Sequence, residues 1–406
     1  MGFVGLGVTT YAFTTSIGGL ALSPTLDSKL PDVGTTIFTV MSALAQKHEA
    51  FNLSQGFPDF DGPAALIDAV HHYQSHGYNQ YPPMAGVTSL RAAIADKVAN
   101  LYDCKVDPEQ EVTVTAGATE ALFCAITAVV RAGDEVIVFD PAYDSYEPVV
   151  HLQGGRTIHI PLVAPLYAID WGRVADAVNS RTRLIIINTP HNPTGSVWKQ
   201  ADVDALQALA IQHDFFILSD EVYEHIIFDD VEHVSMCRYD DLFARSFVVS
   251  SFGKTYHVTG WKVGYCVAPP ALTAELRRVH QFVNFTVNTP VQYALADFLN
   301  DHAEHHEQLP KFYQDKRDRF CQLLESSRFG LTPSAGTYFQ LLNYADISEL
   351  DDVGLAKQWT KKLGIASIPV SVFYAAKDVD RPSVLRFCFA KHDETLVQAA
   401  EILCSL

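Results

Sequence analysis

Lys254 is the residue with the most chemistry to offer. It sits in Ser250-Ser251-Phe252-Gly253-Lys254-Thr255, a run of small residues directly after the apolar stretch 246–249. An amine there attacks a carbonyl readily only if burial or a second cation depresses its pKa. Lys262, in Gly260-Trp261-Lys262-Val263-Gly264, offers that cation and a contact for phosphate as well. By residue type alone, a lysine on such a loop is more often solvated than catalytic. Gly-Lys-Thr also invites a nucleotide phosphate loop, but the first glycine of that motif would fall at 248, which is Val. Asp220 closes an apolar run and leads into Glu221-Val222-Tyr223. An aspartate at such a point is often a helix cap. Facing a pyridine nitrogen, with the Tyr223 hydroxyl nearby, it would instead keep that nitrogen protonated and make the ring an electron sink. Thr189-Pro190-His191-Asn192-Pro193-Thr194-Gly195 has the composition of a turn. Gly117-Ala118-Thr119 lies where a strand pattern gives way to a helix pattern, and backbone N–H groups there suit a phosphate.

These positions share a setting. Short apolar runs predict strands over 111–116, 134–139, 182–188, 215–218, 246–249 and 264–268, with helical patterns over 119–131 and 200–213. Short buried strands alternating with helices predict an α/β fold with a mostly parallel sheet covered on both faces. In such sheets ligands sit beyond the carboxyl ends of the strands, where the polar residues above fall. After Pro290 the pattern changes to helices over 291–301 and 309–325, strands near 337–342 and 384–389, and a closing helix after Asp393. The expected division is a large domain over 60–295 and a smaller α+β domain from 28–59 and 296–406. Residues 1–27 read as an N-terminal extension, and deletion of the first 25 is expected to leave activity intact; no Lys or Arg precedes Lys29, as a secretory signal would need.

Composition bounds the rest. The 406 residues are 48% hydrophobic and 19% charged, enough for a large core. A net charge of −18 argues against nucleic acid as a partner, and no run reads as a membrane helix. The seven cysteines, at 104, 124, 237, 266, 321, 388 and 404, show no C-x-x-C spacing, which fits reduced thiols in the cytoplasm and no zinc site. His302, His305 and His306 with Glu304 and Glu307 read as a solvated helix face, as do His71, His72 and His76; no metal is expected.

Five spaced motifs then converge. Ala116-Gly117-Ala118-Thr119-Glu120-Ala121, Asn192-Pro193-Thr194-Gly195, Ser219-Asp220-Glu221-Val222-Tyr223, Ser251-Phe252-Gly253-Lys254 and Arg386-Phe387-Cys388-Phe389 stand in family order. Together they resemble the class I/II aminotransferases, fold type I enzymes that depend on pyridoxal 5'-phosphate (PLP). The resemblance covers roughly residues 28 to 406 and is closest to methionine aminotransferases and the related kynurenine and glutamine enzymes. It implies that Lys254 attaches covalently to the cofactor and shuttles the Cα proton, with Asp220 at the pyridine nitrogen. It implies Asn192 and Tyr223 at the ring hydroxyl and Tyr143 against the ring face. The phosphate would be held at Gly117, Ala118, Thr119, Ser251 and Lys262, with Tyr81 reaching in from a partner subunit of a homodimer. Arg386 would fork onto the substrate carboxylate, assisted by Asn192 and the backbone of Gly56.

Two departures stand out. Many relatives carry Arg where this chain has Lys262, which keeps the charge but loses the fork. The stretch Phe282-Val283-Asn284-Phe285-Thr286-Val287 has no cation, where aspartate enzymes use a second Arg. Dicarboxylate substrates therefore look disfavoured, and Phe57, Tyr81, Tyr143, Phe285 and Tyr338 are expected to make an aromatic, uncharged side-chain pocket. The expected reaction is ping-pong transfer of the amino group of methionine or an aromatic amino acid to a 2-oxo acid, in a biosynthetic setting. The alternative is a cysteine-conjugate β-lyase on the same scaffold.

Overall fold

The computed structural model describes residues 27–375 and 382–406. The expectation for the N-terminal extension falls outside these residues, Asp27 apart. Seven strands make the central sheet in the spatial order Val112–Thr115, Gly264–Val267, Ser246–Ser251, Phe216–Asp220, Thr182–Asn188, Glu135–Asp140 and Arg156–Pro161. Gly264–Val267 runs antiparallel to both neighbours and every other pairing is parallel. The inner strands are buried along almost their whole length, which is why they read as unbroken apolar runs. Arg156–Pro161 was not expected from sequence. It is an edge strand, and its Arg, Thr and His side chains are largely half-exposed, so no apolar run marks it.

Helices Ala118–Val129 and Pro270–Val283 cover one face, and the core there is filled by residues such as Leu122, Ile126, Leu218, Phe247 and Leu276. Helices Thr88–Tyr102, Gln200–Gln212 and Thr289–Asp301 contribute Ile94, Leu206 and Leu295 to a second core with Ile185, Ile217 and Val267. A separate antiparallel sheet orders Ile368–Pro369, Val384–Cys388, Phe339–Asn343 and Gly330–Leu331. Phe51–Asn52 pairs in parallel with Ile365–Ala366 beside it. Its core gathers Phe320, Leu355, Trp359, Leu385 and Phe387.

The helix anticipated over 309–325 runs instead over Ala303–Leu323, continuing through Pro310. This corrects the reading of its histidines as a solvated face. His306 is buried with its ring 4.9 Å from that of His225, and His305 Nε2 lies 3.1 Å from the carbonyl of Thr255. The helix presses that face onto the loop that follows Lys254. His71, His72 and His76 do lie exposed.

Candidate active site

Asn188, Asp220 and Ser251 end three neighbouring parallel strands, with Asn188 and Asp220 in register. Beyond those ends opens a cavity lined by residues that include Gly117, Thr119, Tyr143, Asn192, Asp220, Tyr223, Ser251, Lys254 and Lys262. The Asp220 carboxyl is buried, and burial pushes its pKa up to about 6 even though the Tyr146 hydroxyl donates to it at 2.6 Å. A buried carboxyl held this way is primed to ionise when a cation faces it. Lys254 Nζ donates to the Tyr338 hydroxyl at 2.9 Å and to the carbonyl of Gly56 at 3.2 Å. Burial is the main cause that lowers its pKa to about 8; the charges of Arg386 and Lys262 push the same way, and Asp220 opposes them. The sequence pointed to Lys262 as the cause, but desolvation does more.

The other end of the cavity suits an anion. Gly117 caps helix Ala118–Val129 at φ +77°, and a Cβ there would stand 3.2 Å from the Lys262 ammonium. The first N–H groups of that helix have no intrahelical acceptors and carry the positive end of its dipole. With the Ser251 hydroxyl and the Lys262 charge they make a site for a phosphate.

Arg386 is fully buried in strand Val384–Cys388. Its guanidinium stacks 3.8 Å from the Phe339 ring centroid and 5.2 Å from that of Phe38. Nη1 donates to Asn192 Oδ1 at 2.7 Å and Nη2 to the carbonyl of Ser54 at 2.9 Å, while Nε is buried without a partner. Asn192 is held in turn by its own N–H on Asn188 Oδ1, and Asn188 Nδ2 donates to the carbonyl of Asp220. One line of hydrogen bonds thus joins the backbone carbonyl of Asp220, at the strand end, to the arginine. Gly56 faces Lys254, and a Cβ there would strike the Phe339 ring at 2.6 Å.

A family model described as aminotransferase class I and II matches residues 48–403. The chain belongs to the class I and II aminotransferases. It is 53% identical over 379 residues to a methionine aminotransferase of Escherichia coli, covering 93% of this chain and 98% of that one. It is 34% identical over 424 residues to human kynurenine–oxoglutarate transaminase 3, covering 96% and 92% of the two. A crystal structure of an E. coli protein with methionine aminotransferase function superposes with a TM-score of 0.92, at 53% identity, over 95% of this chain and all of that one.

Enzymes of this family depend on PLP. The residues of this aminotransferase fit that cofactor. A lysine amine with a lowered pKa, a buried carboxyl and an anion-binding end converge on one cavity, and glycine at 117 leaves open the space that a Cβ would fill. Most of the positions marked in the sequence therefore lie together: Gly117, Ala118, Thr119, Tyr143, Asn192, Asp220, Tyr223, Ser251, Lys254 and Lys262 line the cavity, and Gly56 and Arg386 adjoin it through Lys254 and Asn192.

Tyr81 does not line it; its side chain is 83% exposed and packs edge-on against Phe285. An exposed position is what a tyrosine offered to a partner subunit would occupy, and the aromatic residues expected around the substrate divide within one chain. Tyr143 and Tyr338 stand at the site, whereas Tyr81 and Phe285 lie on an outer face and Phe57 packs under Lys391. Asp144, Glu147 and Lys357 line a neighbouring cleft that shares Tyr143 with this cavity. Tyr146, Asn188 and Phe339 were missed. Tyr146 and Phe339 act through partners distant in sequence, so only the strand-end position of Asn188 gave any signal.

Proposed function

We propose that this aminotransferase moves the amino group of methionine or an aromatic amino acid to a 2-oxo acid, with Lys254 as the reacting amine. The observation that carries this reading is Lys254 itself, buried with its pKa lowered to about 8 in the same cavity as Asp220. Bound PLP supplies an electron sink for the bond broken at the substrate Cα. Asp220, oriented by the Tyr146 hydroxyl, would keep the ring nitrogen protonated. Tyr223 and Asn192 would hold the ring hydroxyl and Tyr143 would lie against the ring face. The phosphate end belongs to Gly117, Ala118, Thr119, Ser251 and Lys262. Arg386, held flat against Phe339, orients the α-carboxylate with Asn192 and Gly56 beside it. Near pH 8 an appreciable fraction of Lys254 is uncharged, so Nζ can take the Cα proton and return it.

Support for the substrate class comes from the names of the relatives above and from the cleft. Aromatic walls accept a thioether or a second ring, with sulfur–ring contacts contributing about 0.3–1.5 kcal/mol. The relatives named above are all transaminases, which weighs for transfer over β-elimination. The assembly we propose is a cytoplasmic homodimer with shared sites. Tyr78, Tyr81, Phe282, Val283 and Phe285 form exposed apolar surface that suits a second copy. Among the described residues, no helix is long and apolar enough to cross a membrane.

A donor panel with purified protein tests the reading. Methionine and phenylalanine should exceed aspartate and glutamate in kcat/KM, and Lys254→Ala should bind PLP yet lose turnover. Higher kcat/KM with aspartate would refute the substrate class; an active Lys254→Ala would refute the mechanism.

A further inference from the structure

One buried acid–base pair lies outside the cavity yet grips its phosphate-binding end. Glu120, the third residue of helix Ala118–Val129, reaches back so that Oε2 accepts from the N–H of Ala116. Its Oε1 lies 2.6 Å from Nδ1 of His280, a side chain wholly shielded from solvent in helix Pro270–Val283. The other ring nitrogen of His280 donates to the carbonyl of Met84 at 3.0 Å. Cys124 Sγ lies within 4.8 Å of both groups. Both imidazole nitrogens and both carboxylate oxygens are engaged, however, so hydrogen bonds fill the cluster and leave no room for a metal.

We propose that His280 is a positioning residue for cofactor phosphate recognition. Through Glu120 it fixes the turn 116–119, and through Met84 it ties that turn to the segment bearing Tyr81. The inference rests on the PLP reading above. Two effects combine. The back-bond from Glu120 to Ala116 sets where the first N–H groups of the helix point. A lone Glu120 carboxylate would also repel an anion held one turn away, whereas the proton shared between Oε1 and Nδ1 leaves the pair neutral overall. Met84 follows Tyr81-Pro82-Pro83 directly, and two prolines transmit a displacement with little slack. One side chain therefore sets two groups of phosphate contacts, those of its own site and the tyrosine offered to a neighbouring subunit.

The test compares PLP with pyridoxal, which has the same aldehyde and ring but no phosphate. PLP-free wild type, His280→Gln and Glu120→Ala are each titrated with both compounds, and binding is read from the absorbance of the lysine-bound chromophore. Either variant should bind PLP about ten-fold more weakly, the loss of one charge-assisted hydrogen bond, and should bind pyridoxal as the wild type does. The double variant should lose no more than the larger single effect, because both residues act through one turn. Parallel loss of both ligands, or no change in either, overturns the proposal and leaves a merely structural role. A wild type that does not prefer PLP to pyridoxal overturns the cofactor reading itself, and this inference with it. Should His280→Gln fail to fold, Glu120→Ala alone decides.

Discussion

Asp220→Asn should stabilise the cofactor-free protein while destroying its turnover. In water the carboxyl has a pKa of 3.8, and burial carries it to about 6 in the folded chain. Between those values the folded chain holds a proton that the unfolded chain has released, so stability falls as pH rises through this window. The shift corresponds to about 3 kcal/mol, all of it expressed above pH 6 or so. Asparagine removes the charge and keeps an acceptor for the Tyr146 hydroxyl. Thermal melts of PLP-free protein at pH 8 should therefore place the variant several degrees above the wild type. At pH 4.5, where the wild-type carboxyl is largely protonated, the difference should shrink. With PLP present the order should narrow or reverse, because only the carboxylate can pair with a protonated ring nitrogen. Turnover should drop at least about a hundred-fold for want of that charged partner. A variant less stable than wild type at pH 8, or a gain that does not vary with pH, would refute the reasoning.

Arg386→Lys loses both the fork and the stack on Phe339 and Phe38, about 3 kcal/mol together, so kcat/KM for amino acids should fall about a hundred-fold. The corresponding decarboxylated amine should be affected far less; equal losses would place Arg386 outside carboxylate binding. Gly117→Ala sets a Cβ against Lys262 at φ +77°, costing about 1–2 kcal/mol of backbone strain and displacing the ammonium. Equilibrium dialysis should show weakened PLP binding, and unchanged affinity would count against the phosphate site. Sedimentation should show a dimer, with Tyr81→Phe binding PLP more weakly; a fully active monomer would exclude a role for Tyr81 in a neighbouring site.

The inner strands could be read from sequence because burial on both faces leaves unbroken apolar runs such as 182–188, and strand ends then locate Asp220, Asn188 and Ser251. Arg156–Pro161 escaped because an edge strand keeps polar side chains. Lys254, Asp220, Asn192 and Arg386 stood out through motif spacing. Their support did not: the Tyr146 hydroxyl reaches Asp220 across 74 positions and Tyr338 reaches Gly56 across 282. The division of the aromatic residues was hidden for a related reason. Residue type shows that Tyr81 and Phe285 are large and apolar, but only the folded backbone shows which way they face.

The resting contact of Lys254 joins two parts of the fold. Its amine follows a strand of the central sheet, whereas Gly56 follows the strand Phe51–Asn52 and Tyr338 leads into the smaller antiparallel sheet, and Arg386 makes a similar crossing to Asn192. Separating the two sheets would rehydrate the amine and return its pKa toward 10.5 from about 8. By linkage, each proton taken up by Lys254 favours opening, and each proton released favours closure. The nucleophile is then also a latch: it is held shut in the uncharged state in which it can react.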